Sequence, residues 1–428
     1  MHRHSRRCTA RFVALTFSVS LTTALACLVP AAADPAPVAR ITPAPTADQL
    51  DPFYAAPPGF ERAEPGTVLR TRQVTLLPVT TLARHRSWQL LYRTTTADGA
   101  PMVTVTTVVA PLGAAAGLLS YQFPEDASAA HCAPSQAMTT LSSAANTASA
   151  VVSEIPGVRD ALLGGFAVSI PDYQGPDSRY GAPRQPGYAI LDGLRAARDS
   201  GVPGLPADPP TALWGYSGGS LATGWAAQLA AAYAPELKIT GSAVGGFFTE
   251  FRSALRAVNA SRSAGLIPAI LPGLLRGAPA VATEFGRVLT PEGAALLSAA
   301  GQRCAAENVV AHLDFDLSEH LSLPFDSFLA TPSAESAFAT VDLGGTTPSA
   351  PLFVYHAIHD ELIPIASTDA IVDRYCADGA DITYLRGATT DHLSMSLRGA
   401  PTAFAWLQRR LAGDPVTPGC STQQDPAL

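Results

Sequence analysis

Between Val68 and Val109, β-branched, aromatic and polar residues mix in short runs such as Trp88-Gln89-Leu90-Leu91-Tyr92-Arg93 and Val103-Thr104-Val105-Thr106-Thr107-Val108-Val109. That pattern predicts the early strands of a sheet. After Pro111, apolar runs alternate with alanine-rich ones: strands are predicted over Gly117–Phe123, Phe166–Ile170, Ala212–Tyr216 and Ile239–Gly245, with helices over Thr139–Val152, Tyr188–Arg198 and Gly218–Tyr233 between them. Strands joined by helices of this length build parallel βαβ units, so the fold class is α/β with a mostly parallel central sheet.

From residue 249 to 345 the alternation gives way to helical segments broken by proline and glycine, among them Phe251–Ala257, Gly293–Ala306 and Ser318–His320. The sheet pattern then resumes with strands at Pro351–Ala357 and Ile382–Leu385 and helices at Ser367–Tyr375 and Ala400–Leu411. A helical block between two sheet-forming halves predicts an inserted cap. The expected division is 34–248 for the first part of the core, 249–345 for the cap and 346–428 for the rest of the core. Residues 34–66 are dense in proline and alanine and form an irregular arm in front of the sheet.

At 428 residues, with 47% hydrophobic and 15% charged residues, the chain can bury a sizeable core, which excludes a disordered protein. Residues 1–33 read as an export signal: arginines up to Arg11, an apolar stretch from Phe12 to Val29, then Ala31-Ala32-Ala33 before Asp34. A membrane anchor is the competing reading of that stretch, but Ser and Thr interrupt it and a cleavage-type sequence follows. The protein is therefore expected to be secreted, with cell-envelope association as the variant. Without the four arginines of this segment the net charge moves from −7 to −11, which argues against nucleic acid as a partner. Four cysteines remain, Cys132, Cys304, Cys376 and Cys420; in an exported chain they predict two disulfides, with three pairings open, and the lack of a C-x-x-C pair gives no metal site.

Gly215-Tyr216-Ser217-Gly218-Gly219 matches G-x-S-x-G, and its place between a predicted buried strand and an alanine-rich helix is that of a nucleophile elbow. A serine hydroxyl needs a base beside it, and the base a carboxylate to orient it; in the α/β-hydrolase order the acid comes next and the histidine last. His392 is the one histidine after Asp360, and both residues follow predicted strands by short loops. Glu361 is the alternative acid, while Asp391, Asp369 and Asp373 read as loop or helix-surface acids and His356 and His359 as packing or surface histidines. The oxyanion of an acyl transfer would take one N–H from Gly218 and a second donor from the loop Tyr121-Gln122-Phe123-Pro124-Glu125-Asp126.

Several stretches together resemble the secretory lipase family typified by Candida antarctica lipase A: Asp51-Pro52-Phe53-Tyr54, Pro65-Gly66-Thr67-Val68-Leu69, Cys132-Ala133-Pro134-Ser135, Pro171-Asp172-Tyr173-Gln174-Gly175-Pro176-Asp177-Ser178, Gly187-Tyr188-Ala189-Ile190-Leu191-Asp192, the elbow, and the segments around Asp360 and His392. The run from Asp172 to Asp177 is the most specific of these. The resemblance implies an α/β-hydrolase fold with a helical cap or lid, and hydrolysis of acylglycerol-type esters through an acyl-enzyme. It further implies a Ser217, Asp360, His392 triad that needs no cofactor or metal. Asp126 matches the family's oxyanion aspartate, with Glu125 beside it as the alternative, and the family's disulfide pattern implies Cys132–Cys304 and Cys376–Cys420. Partners implied are lipid or other ester substrates and the lipid–water interface where they gather, with no obligate protein partner. Short-chain or cell-envelope esters are the alternative substrates; a non-catalytic extracellular binding protein on the same scaffold is the alternative of another class. Leu266, Ile267, Ile270, Leu271, Leu274 and Leu275 crowd around Pro268 and Pro272, which predicts a broken helix whose apolar side chains line an acyl site in part and fill the cap core in part.

Overall fold

Among the described residues, ten strands share one sheet: β1 (Val68–Val74), β2 (His85–Thr95), β3 (Pro101–Pro111), β4 (Leu118–Gln122), β5 (Ala167–Pro171), β6 (Thr211–Tyr216), β7 (Ile239–Gly245), β8 (Leu352–Ala357), β9 (Ile382–Gly387) and β10 (Cys420–Asp425). Their spatial order is β1-β2-β3-β5-β4-β6-β7-β8-β9-β10. The first three strands and the β3–β5 pair run antiparallel, and every pair from β5 to β10 is parallel. The structure is a computed structural model that describes residues 41–76, 84–139 and 150–428. The expected export signal, the first residues of the arm and most of the helix expected over 139–152 lie outside the described residues.

Side chains of the central strands alternate between two buried faces, as the period of two requires. On β6, Ala212, Trp214 and Tyr216 enter one apolar cluster and Leu213 another; on β8, Phe353 and Tyr355 join the first of these, while Leu352 and Val354 face the helical block. Before the sheet, residues 41–66 hold the one-turn helix α1 (Ala47–Leu50) and two short 3₁₀ turns, and a second one-turn helix, α2 (Pro134–Ala137), follows β4. Helices α3 (Ala150–Leu163) and α14 (His392–Leu411) cover one face of the sheet, and α4 (Gln185–Asp199) and α5 (Gly218–Tyr233) the other. Between β7 and β8 come α6 (Phe251–Val258), α7 (Leu266–Gly277), α8 (Pro279–Val288), α9 (Pro291–Ala300), α10 (Ala305–Ala311), α11 (Phe325–Leu329) and α12 (Pro332–Phe338), while α13 (Ile365–Ala377) joins β8 to β9.

Three expectations are corrected. Helix α3 runs on to Leu163 through Pro156. Burial of Ile155, Val158 and Leu162, roughly 1.5–3 kcal/mol each, outweighs the ~3 kcal/mol of an interior proline. The segment Gly293–Ala306 is two helices, because Cys304 is the N-cap of α10 with Glu307 reaching back to its N–H. Helix α7 is continuous: Pro268 falls in the first turn, where backbone N–H groups lack helical partners anyway, and only Pro272 is interior. Leu271 and Leu274 are completely buried and Ile267 almost so, while Leu266 and Leu275 are only partly buried.

Both disulfides join distant parts of the chain. Cys132 pairs with Cys304, tying the segment before α2 to the start of α10, and Cys376 pairs with Cys420, tying the end of α13 to edge strand β10.

Candidate active site

Ser217 sits between β6 and α5 with φ 54° and ψ −126°, a backbone conformation L-residues rarely adopt. Such strain costs on the order of 1–3 kcal/mol and persists only where surroundings enforce it. Here the Ser217 N–H donates to the Gly245 carbonyl (2.9 Å), and the Ser217 carbonyl accepts from the N–H (2.8 Å) and hydroxyl (2.6 Å) of Ser220. The tight turn needs a bare backbone at Gly219, where a Cβ would collide with the carbonyl oxygen of Gln122 on β4.

The elbow delivers the Ser217 hydroxyl to His392, whose Nε2 lies 2.9 Å from Oγ. On the other side of the ring, Nδ1 lies 2.8 Å from Oδ2 of Asp360. His392 is the first residue of α14, capped by Asp391, which accepts from the Ser394 N–H; the expected loop acid is therefore a helix cap. The Tyr216 hydroxyl donates to the His392 carbonyl (2.6 Å) and fixes the backbone there. Both carboxylates of the Asp360-Glu361 pair reach His392, in different ways: Glu361 accepts its backbone N–H (3.0 Å), and Asp360 alone faces the ring. Oδ1 of Asp360 accepts the N–H groups of Leu362 (3.0 Å) and Ile363 (2.7 Å). Burial pushes the Asp360 carboxyl up, but hydrogen bonding and proximity to His392, with His356 nearby, bring it below the ordinary carboxylate range.

Asp126 and Glu125 separate cleanly. Asp126, at φ 41°, lines the same pocket as Ser217, while Glu125 turns away to accept from the Ser178 hydroxyl (3.3 Å). Burial lifts the Asp126 carboxyl to about 6, against the pull of a Tyr180 hydroxyl hydrogen bond and of nearby His392. Its Oδ1 is buried without a hydrogen-bond partner among the described residues. Gly218 is the first residue of α5, so its N–H has no acceptor within the helix.

The Asp172–Ser178 run explains its own specificity. Tyr173 donates its hydroxyl to the Phe123 carbonyl (2.7 Å), and Ser178 holds Glu125, so the run braces the loop that carries Asp126. Asp172 in turn accepts the Ser135 N–H (2.9 Å) and hydroxyl, and the Ser135 and Tyr54 hydroxyl oxygens lie 2.7 Å apart. Burial raises the Asp172 carboxyl to about 7.

A pocket opens beside Ser217 and Asp126, and Phe248, Leu255, Leu266, Ile267 and Ile270 make it apolar. Leu271 and Leu274 do not reach it; they are fully buried behind it. His356 is the residue whose place the sequence did not disclose. It is fully buried at the end of β8, with Nε2 3.4 Å from Oδ2 of Asp360, and an isolated histidine in an apolar strand carries no signal of such a contact.

The secretory lipase family model matches residues 139–419. The chain is 38% identical over 378 residues to a Mycobacterium tuberculosis protein named a probable inactive lipase, covering 86% of this chain and 83% of that protein. It is 35% identical over 398 residues to lipase A of Arthroderma benhamiae, covering 90% of this chain and 84% of the other. Candida antarctica lipase A, an α/β-hydrolase, superposes with a TM-score of 0.81 at 28% identity over 89% of this chain and 90% of that one. Sequence and architecture thus agree: the chain belongs to the secretory lipase family.

Proposed function

We propose that this protein is a secreted serine ester hydrolase of lipase type. The observation that carries the reading is the unbroken relay from Ser217 Oγ through His392 to Asp360 Oδ2 at hydrogen-bonding distances, opening onto an apolar pocket. Ser217 Oγ attacks the ester carbonyl while His392 Nε2 takes its proton, and Asp360 stabilises the imidazolium through Nδ1–H. The tetrahedral oxyanion receives the Gly218 N–H and, from Asp126, a carboxylic O–H or backbone N–H. His392 then returns the proton to the departing alcohol, leaving an acyl-Ser217 that water hydrolyses by the same steps. The apolar pocket takes the acyl chain, and export to an oxidising compartment suits the two disulfides.

Acylglycerols are the substrates this pocket favours, since its lining offers little besides apolar surface. A non-catalytic member of the family, to which the name of the mycobacterial relative points, is the competing reading. The test is labelling with a fluorophosphonate, read by peptide mapping, alongside turnover of p-nitrophenyl esters from acetate to stearate. Label on Ser217 and its loss in Ser217→Ala, together with turnover of long-chain esters, is the expected result. Turnover confined to acetate and butyrate would replace lipase by short-chain esterase. An unlabelled Ser217 with no turnover would leave the competing reading standing.

A further inference from the structure

His356 has both ring nitrogens engaged at full burial, and the partners fix which one carries the proton. Nδ1 lies 2.9 Å from the backbone N–H of Phe247, a group that can only donate, so Nδ1 must present its lone pair. The proton of the neutral ring then sits on Nε2, which lies 2.9 Å from the Ile363 carbonyl and 3.4 Å from Oδ2 of Asp360. Thr368 closes the set: its hydroxyl donates to the Phe247 carbonyl (2.9 Å) and lies 3.1 Å from Nδ1. Burial pushes the imidazole pKa down; Asp360 and Asp369 favour the charged ring and His392 opposes it. A proton on Nδ1 would also break the Phe247 contact, so geometry and burial agree on a neutral ring.

Four pieces of the site meet on this ring. Ile363 donates its N–H to Asp360 Oδ1 and gives its carbonyl to His356, so the imidazole holds the turn that holds the carboxylate. Phe247 precedes Phe248 in the pocket wall, and Thr368 belongs to α13. On the proposal that Asp360 orients His392, we infer that His356 is a positioning residue: a tautomer-locked, uncharged imidazole that keeps Oδ2 of Asp360 aimed at His392 Nδ1 and couples the acid turn to the pocket wall.

The test compares His356→Phe, which keeps a ring and loses both hydrogen bonds, with His356→Gln, whose amide can accept from Phe247 and donate to Ile363. In the full-length enzyme, kcat on p-nitrophenyl butyrate should fall about 10- to 100-fold in His356→Phe with KM nearly unchanged, as expected when the reacting groups lose alignment. The low-field proton resonance of the His392–Asp360 hydrogen bond should shift or vanish, and His356→Gln should recover most of both. In the unaltered protein, ¹⁵N spectra should show an unprotonated Nδ1 on His356 from about pH 5 to 8. Wild-type kcat and an unshifted resonance in His356→Phe would overturn the inference; so would a protonated Nδ1, or activity lost only in step with folded protein and without recovery by glutamine. Failure of the underlying hydrolase reading looks different, since the unaltered protein would then neither turn over esters nor label at Ser217.

Discussion

Oδ1 of Asp126 faces the Cα of Gly218 so closely that a Cβ on Gly218 would lie inside its van der Waals shell. The first residue of α5 therefore has to be glycine if Asp126 is to sit over the helix N-terminus. In Gly218→Ala the new methyl displaces the Asp126 carboxyl and, on the proposed mechanism, misplaces an oxyanion donor. The expected cost is about 100- to 1,000-fold in kcat, with fluorophosphonate labelling slowed and the melting temperature near that of the parent. Unchanged kcat would remove Asp126 from the oxyanion site.

Stability should fall as pH rises from about 6 to 8. Burial is the leading cause that raises Asp126 to about 6, Glu154, Asp172 and Asp342 to about 7, and Glu125 well above the usual range. In the unfolded chain these groups titrate near ~4, so through this window the native state holds protons that the unfolded state has released. With more protons bound in the native state, stability drops with increasing pH. Asp360 has the opposite shift, but its effect lies at lower pH; His131, His312 and His356, lowered chiefly by burial, act below about 6.5. Calorimetry should give a lower melting temperature at pH 8 than at pH 6; a rise across that interval would contradict it.

Ile270 and Leu274 lie one helical turn apart on α7 and should behave differently. Ile270 lines the pocket beside Ser217, so Ile270→Trp should depress turnover of octanoate and longer esters well beyond that of acetate, at similar stability. Leu274 is fully buried in the cap core, and Leu274→Ala should cost about 2–5 kcal/mol in denaturant unfolding with no change in chain-length preference. An identical chain-length profile in the two variants would show that Ile270 does not shape the acyl site.

The disulfides should separate in the same manner. Loop entropy assigns each about 4 to 5 kcal/mol, yet they hold different things. Cys132–Cys304 shares a small buried cluster with Ala127 and Ala129, directly after Asp126, whereas Cys376–Cys420 anchors an exposed edge strand. Replacing both cysteines of the first pair by serine should lower melting temperature and kcat together. The same change in the second pair should lower only the former, and a kcat loss there of the same size would refute the distinction.

What the sequence disclosed follows physical locality. The turn at Ser217 was legible because the G-x-S-x-G pattern compresses strand, serine and small neighbours into a few residues, and α5 and β7 have the bounds their apolar patterns predict. The sequence favoured Asp360 and kept Glu361 as the alternative, because adjacent carboxylates both reach His392 and only the fold decides which meets the ring and which the backbone. Prolines misled in α7, where a continuous helix replaces the broken one that Pro268 and Pro272 suggested. His356 stayed hidden because its partners, Phe247, Ile363 and Thr368, are supplied by three separate segments.

The brace formed by Asp172, Tyr173 and Ser178 touches the backbone and side chains that shape the Asp126 loop and makes no hydrogen bond to Ser217, His392 or Asp360 among the described residues. Recognition by sequence and competence for chemistry are thus written in different places. A descendant could keep this signature and its shape after losing the serine, and would still be sorted with the enzymes. Surveys that mine genomes for such hydrolases would do well to score the elbow, the acid turn and the final helix start separately from the signature, treating the latter as a marker of ancestry.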